Sequence, residues 1–140
     1  MARSTRNLIL VLGDQLDGAG AALDGFDPAR DALWMAEVAE ESTQVWTSQP
    51  RIALFLSAMR HFRQAQEQAG RTVHYRQLDD PDNAGSLAAE LAAAVRRLRP
   101  ERLIMTEAGE WRVQQALGRA AAQAGVELEV RPDRHFLASR

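Results

Sequence analysis

Seven carboxylates fall just after stretches that read as strands: Asp14, Glu37, Glu41, Asp79, Asp80, Glu107 and Glu110. Two of them sit beside glycines, in Gly13-Asp14-Gln15 and Gly109-Glu110-Trp111. Carboxylates gathered at one edge suit a ligand that donates hydrogen bonds, such as a polyhydroxyl chain or a ring N–H. The same edge is hostile to phosphate, which would meet like charges at about 1 kcal/mol per pair even in high dielectric. Trp111, Trp34, Tyr75 and Phe55 are the aromatic residues available to wall such a site. Each acid taken alone also suits a helix cap or the positive end of a helix dipole.

Other chemistries find little support. The histidines, His61, His74 and His135, are isolated and lack metal-ligand spacing, so no metal site is expected. His61, next to Arg60 inside an apolar helical pattern, reads as a structural histidine. The sequence has no Cys, which removes disulfides, thiolate metal sites and iron–sulfur ligation within this chain. No serine stands in a nucleophile elbow. Neither GxGxxG nor GxxxxGK[ST] occurs. A phospho-accepting receiver domain would need a Lys after its last strand, and every basic residue here is Arg. For the three Trp residues core packing outweighs electron relay.

These residues must be positioned by a scaffold, and the hydrophobic pattern describes one. Leu8 to Leu12 is a run of five large apolar residues ended by Gly13, as in a strand covered on both faces. A glycine-rich loop from Asp17 to Arg30 follows, with a short turn at 21–23. Asp31 to Ala36 reads as a second buried strand. Thr47-Ser48-Gln49-Pro50 starts a helix whose stripe is Ile52, Phe55, Leu56, Met59 and Phe62, closed by Gly70. Arg71 to Leu78 is a third strand, with Val73 and Tyr75 on one face and Thr72 and His74 on the other. After the turn cluster 79–83, a second helix runs through Leu87, Leu91, Val95 and Leu98 and stops at Pro100. Arg102 to Thr106 is a fourth strand. A third helix carries Val113, Leu117, Ala120 and Ala124 and is closed by Gly125, and 126–130 is a fifth strand.

Strands alternating with helices at this spacing give an α/β fold: a five-stranded parallel, doubly wound sheet with helices on both faces. Right-handed crossovers favour the strand order 3-2-1-4-5. In that order the Gly13 and Gly109 loops meet at one crevice beyond strands 1 and 4. No repeat or linker divides the 140 residues, so a single domain is expected. Composition agrees: 46% hydrophobic, 26% charged, 17 basic against 19 acidic residues, net charge −2. Such a balance lacks the basic footprint of a domain that grips nucleic acid. No apolar stretch is long enough to cross a bilayer and no secretory leader precedes the first strand, so a cytoplasmic location is expected.

Four separated stretches resemble one family in the same order: 10–16 (Leu-Val-Leu-Gly-Asp-Gln-Leu), 50–62 (Pro-Arg-Ile through Ser-Ala-Met-Arg-His-Phe), Leu78-Asp79-Asp80 with Asn83, and 106–113 (Thr-Glu-Ala-Gly-Glu-Trp-Arg-Val). They are similar to the N-terminal domain of the bacterial cryptochrome/photolyase-related proteins, the iron–sulfur prokaryotic (6-4) photolyases. The resemblance implies light-driven repair of DNA lesions by reduced FAD. It places the flavin, the iron–sulfur cluster and the DNA site in a helical C-terminal part, so residues 1–140 are expected to be a fragment without catalytic activity of its own. The implied role of this domain is to bind an antenna chromophore, 6,7-dimethyl-8-ribityllumazine, whose ribityl hydroxyls match the acidic crevice. The resemblance makes Gly13, Asp14 and Gln15 the pocket floor, puts Glu41 in contact with the lumazine and Glu37 near it, and makes Gly109, Glu110 and Trp111 the opposing wall. Phe55 belongs to the helix flanking the ring. Ala36 stands where a close relative is expected to carry Cys, and Ala108 where Pro is expected; both bear on the chromophore's fit or identity. The implied partner is the helical C-terminal part, with DNA reached only through it, and an uncovered docking face would favour dimers. The competing readings are a nucleotide-binding domain of the adenine-binding (HUP-type) α/β class and a plain interaction module.

Overall fold

The computed structural model describes residues 5–12, 16, 21–38, 49–108 and 111–132. Five strands form one parallel sheet in the order β3-β2-β1-β4-β5: β1 (Asn7–Leu10), β2 (Ala32–Ala36), β3 (Thr72–Arg76), β4 (Arg102–Thr106) and β5 (Glu127–Arg131). Among the described residues three α-helices, α1 (Gln49–Gln68), α2 (Leu87–Leu98) and α3 (Trp111–Ala124), alternate with them, and a 3-10 turn spans Ala21–Leu23. The expected fold class and strand order are both observed.

The apolar run of β1 is explained by its place at the centre of the sheet. Alternate side chains point to opposite faces. Leu8, Leu10 and Leu12 join Trp34, Leu91, Leu103 and Leu117 beneath α2 and α3. Ile9 and Val11 join Leu33, Met35, Ile104, Met59 and Phe62 beneath α1. Each fully buried Leu or Ile contributes about 1.5–3 kcal/mol by leaving water. The loop after β1 is not idle. Its 3-10 turn puts Ala22 and Leu23 on the α1 face, where they cover the β4–β5 side of the sheet. Arg131 Nη1 donates to the Asp24 carbonyl at 3.0 Å and ties that turn to β5.

Helix ends follow the local chemistry. Gly70 (φ +88°) and Gly125 (φ +76°) adopt left-handed backbone after α1 and α3, as the sequence suggests. Ser86 caps α2 by accepting from the Ala89 N–H at 3.2 Å. The α2 C-terminus differs from expectation: Arg99 takes the left-handed position ahead of Pro100, and its N–H donates to the Val95 carbonyl at 2.9 Å. The Thr47-Ser48 start signal lies outside the described residues, although α1 does begin at Gln49. Strand 3 is shorter than its apolar pattern, because the backbone beyond Arg76 turns toward Glu37. In α3 the buried stripe is Leu117, Ala120 and Ala121, and Ala124 is exposed.

Asp31, read from the sequence as the first residue of β2, instead clamps the amino edge of the sheet. Its buried carboxylate accepts from Arg6 Nε at 2.9 Å and Nη2 at 2.7 Å, and from the N–H groups of Asn7 at 3.1 Å and Asp27 at 2.8 Å. Burial opposes ionisation of Asp31, but these donors together outweigh it and hold its pKa below the usual carboxylate range.

Candidate functional site at the carboxyl edge of the sheet

In this strand order the chain reverses direction between β1 and β4, which is where open α/β sheets place ligands. Leu10 pairs with Met105, so the segments that follow both strands leave the sheet side by side. On one side β1 continues into buried Val11 and Leu12, and the Val11 N–H donates to the Trp34 carbonyl at 2.9 Å. On the other, β4 passes through Glu107 and Ala108 into α3. The Ala108 N–H is held by Gln114 Oε1 at 2.9 Å. Trp111, the first residue of α3, stands 68% exposed at this edge. Gly13, Asp14, Gln15, Glu41, Gly109 and Glu110 lie outside the described residues, as does the side chain of Phe55, whose backbone is within α1.

Glu37, immediately after β2, is at the expected edge but is committed to the protein. Its side chain is 0% exposed. It accepts from Arg60 Nε at 2.7 Å and Nη2 at 2.8 Å, from the Leu78 N–H at 2.8 Å, and from the Tyr75 hydroxyl. Its own carbonyl accepts from Asn83 Nδ2 at 2.7 Å. Burial disfavours the charged carboxylate, yet the Arg60, Tyr75 and Leu78 donors outweigh burial and the pKa stays low. Burial, followed by the neighbouring Glu37 carboxylate, pushes the Tyr75 hydroxyl far up, so it remains a donor. Arg60 is held firmly protonated, chiefly by its bonds to Glu37.

The network continues into the turn after β3. Asn83 Nδ2 also donates to the Gln77 carbonyl at 2.9 Å, and Asn83 Oδ1 accepts from the Gly85 N–H at 2.8 Å. Arg76 bridges Asp80 and Glu90, each at 3.0 Å. The second oxygen of buried Glu90 accepts from the Ala84 N–H at 2.7 Å. Of the carboxylates assigned to this edge, Glu37 and Asp80 therefore neutralise arginines and fix backbone. Arg60, Arg76, Asn83 and Glu90 carry the edge's architecture and were not singled out as site residues by their types. The available signal was a polar residue repeated on an otherwise apolar face, as with Arg60 next to Met59 and Tyr75 on the Val73 face.

Aromatic residues divide. Trp34 is buried under α2 and α3 and is core, not a wall. Tyr75 packs on the α1 face, with Arg63 5.1 Å from its ring centroid. His61 is exposed, which corrects its reading as a structural histidine: it lies about 200° round the helix from buried Met59. His74 is half-buried, and burial followed by the Arg97 charge lowers its pKa. Among the described residues no group of three or more His, Cys, Asp or Glu gathers as a metal site. No described helix is long and apolar enough to cross a membrane.

The family model for deoxyribodipyrimidine photo-lyase-related proteins matches residues 9–140. The chain belongs to that family. As a photo-lyase-related chain it is 42% identical over 132 residues to a protein named (6-4) photolyase from Agrobacterium fabrum. That alignment covers 94% of this chain but 26% of the relative. The family match thus takes in β1 from Ile9 onward, the four other strands and α1 to α3.

Proposed function

We propose that this chain is the antenna-chromophore domain of a light-driven DNA-repair photolyase or cryptochrome, and that it holds 6,7-dimethyl-8-ribityllumazine beyond the carboxyl ends of β1 and β4. The observation that carries this reading is the pairing of β1 with β4 at the reversal of strand order. It sets side by side the ends of the two strands that precede 13–15 and 109–110 in the sequence. Membership of the photo-lyase-related family supports it.

The residues present fit a planar heterocycle with a hydroxylated tail in two respects. The exposed indole of Trp111 at the mouth offers a stacking surface. Asp14 and Glu110, which follow these two strands in the sequence, would offer acceptors for hydroxyl donors. Gly13 and Gln15 complete the floor, Gly109 the facing wall, and Glu41 and Phe55 the flank. Glu37 then acts through structure, since its carboxylate is occupied by protein donors: it holds the β2 exit against α1 and the turn after β3. When bound, the lumazine supplies light absorption and passes excitation energy to a flavin.

In this reading the flavin, iron–sulfur cluster and DNA site belong to a further helical part, consistent with a chain spanning about a quarter of its relative. Exposed Leu54 and Trp111 suit docking against that part, and in its absence self-association into dimers. The decisive test is reconstitution of the intact protein that carries this chain with lumazine, read by bound absorbance. Asp14→Ala is expected to weaken binding about tenfold or more, the worth of a hydrogen bond to a charged acceptor. Equal binding by the variant would remove the site from this edge.

A further inference from the structure

The edge of the sheet opposite the acidic one has its own chemistry. A groove of about 660 Å³ opens where the C-terminal ends of α2 and α3 splay above Pro100 and Val126. That volume suits a small organic ligand. Val95, Ala120 and Val126 make an apolar floor, and Arg96, Arg99 and Gln123 supply the polar groups. No carboxylate is among the lining residues. Of the acids next to it in sequence, Glu127 is paired with Arg102 at 3.5 Å, and the Glu101 charge acts on Arg6.

Arg96 and Arg99 make no ion pair among the described residues, a property they share with Arg30, Arg71, Arg97 and Arg119. Arg99 also occupies left-handed backbone, φ +49° and ψ +56°. Every other described residue with positive φ is glycine: Gly25, Gly70, Gly85 and Gly125. Among the described residues glycine takes this conformation everywhere except at the position that lines the groove. Helix capping alone would favour Gly there, since a Cβ in left-handed backbone costs free energy. Cations near a helix C-terminus do complement its dipole, which explains Arg96 and Arg97 but not a strained Arg99.

We propose that this groove is an anion site for a nucleoside monophosphate, with the guanidiniums of Arg96 and Arg99 on the phosphate and the base over Val95, Ala120 and Val126. Two forked guanidiniums match a phosphate bidentately. The Gln123 amide adds a hydrogen bond of either polarity. Helix carbonyl ends repel anions, and the Arg99 N–H is already used by Val95, so affinity rests on the side chains alone. Exposed Arg119, one turn before Gln123 on α3, adds to the positive field. The site is separate from the carboxyl edge and stands whether or not a chromophore binds there.

The phosphate could be offered by a free nucleotide or by a nucleic-acid strand. Calorimetric titration at low salt with AMP and, separately, with a short single-stranded oligodeoxynucleotide distinguishes the two. Saturable one-to-one AMP binding, with the oligonucleotide no tighter per nucleotide, assigns a free nucleotide. Much tighter oligonucleotide binding that falls steeply with salt assigns a strand. In either case Arg96→Ala and Arg99→Gly are each expected to weaken binding about tenfold or more. Arg99→Gly should also leave thermal stability unchanged or raise it, because it relieves the left-handed backbone while removing the ligand contact. Failure of both probes to saturate, or undiminished binding by Arg99→Gly, overturns the proposal.

Discussion

Glu37 offers the sharpest test of how this edge is built. Replacing it with Ala removes the acceptor for the Leu78 N–H, the half-buried Tyr75 hydroxyl and the Arg60 guanidinium at once. Two donors are left without a partner, at about 1–3 kcal/mol each. Arg60 adds little, because its side chain is 45% exposed and can turn to water. The expected loss is therefore about 2–6 kcal/mol, a large fraction of the roughly 5–15 kcal/mol typical of a domain. That corresponds to a Tm lower by roughly 7–20 °C. Urea unfolding read by far-UV circular dichroism measures it. Glu37→Gln keeps the shape and one acceptor, and should lose about half as much. The pH dependence has a definite sign. Glu37 has a depressed pKa in the fold, so its contribution is complete above the unfolded carboxylate pKa of about 4.3 and is lost as pH falls through the lower folded value. Glu37→Gln should flatten that acid limb. A loss below about 0.5 kcal/mol for Glu37→Ala, the range of an ordinary surface change, would refute the anchoring role.

Asp31→Ala should destabilise by about 2–4 kcal/mol by stranding the Asn7 and Asp27 N–H groups and freeing Arg6, seen as a lower urea midpoint with an unchanged m-value. Gly70→Ala should cost about 1 kcal/mol in thermal unfolding; a Cβ there meets nothing within 4 Å, so the cost is backbone strain alone. Trp111→Ala should leave stability within about 0.5 kcal/mol, because the indole is exposed, while weakening lumazine retention under the proposed function. His74, shielded by burial and facing Arg97, should titrate below the usual histidine range in NMR, with its stabilising effect present at neutral pH and lost as pH falls toward that lowered value.

Much of the architecture was legible because it rests on local signals. The unbroken apolar run of β1 means burial on both faces. Glycines after α1 and α3 mark left-handed turns, and the handedness of crossovers leaves few strand orders. The short turn at 21–23 was legible too, but its job of covering β4 and β5 was not, since that depends on where a loop of no fixed pattern comes to rest.

The acidic edge shows the limit. Residue types placed Glu37 beyond β2 and suggested an acceptor open to a ligand. Its partners lie 23 residues away at Arg60, 38 at Tyr75 and 41 at Leu78, and only packing of α1 and β3 against β2 brings them together. Net charge misled in a related way. A sum of −2 averages an edge rich in carboxylates with an opposite edge where Arg96 and Arg99 line a groove free of them. The sequence by itself determined which segments are strands and helices, because periodicity and turn chemistry act over a few residues. Only the tertiary structure decided which charges are spent on one another and which stay available, because Coulombic pairing and burial depend on distances that the chain closes from far apart.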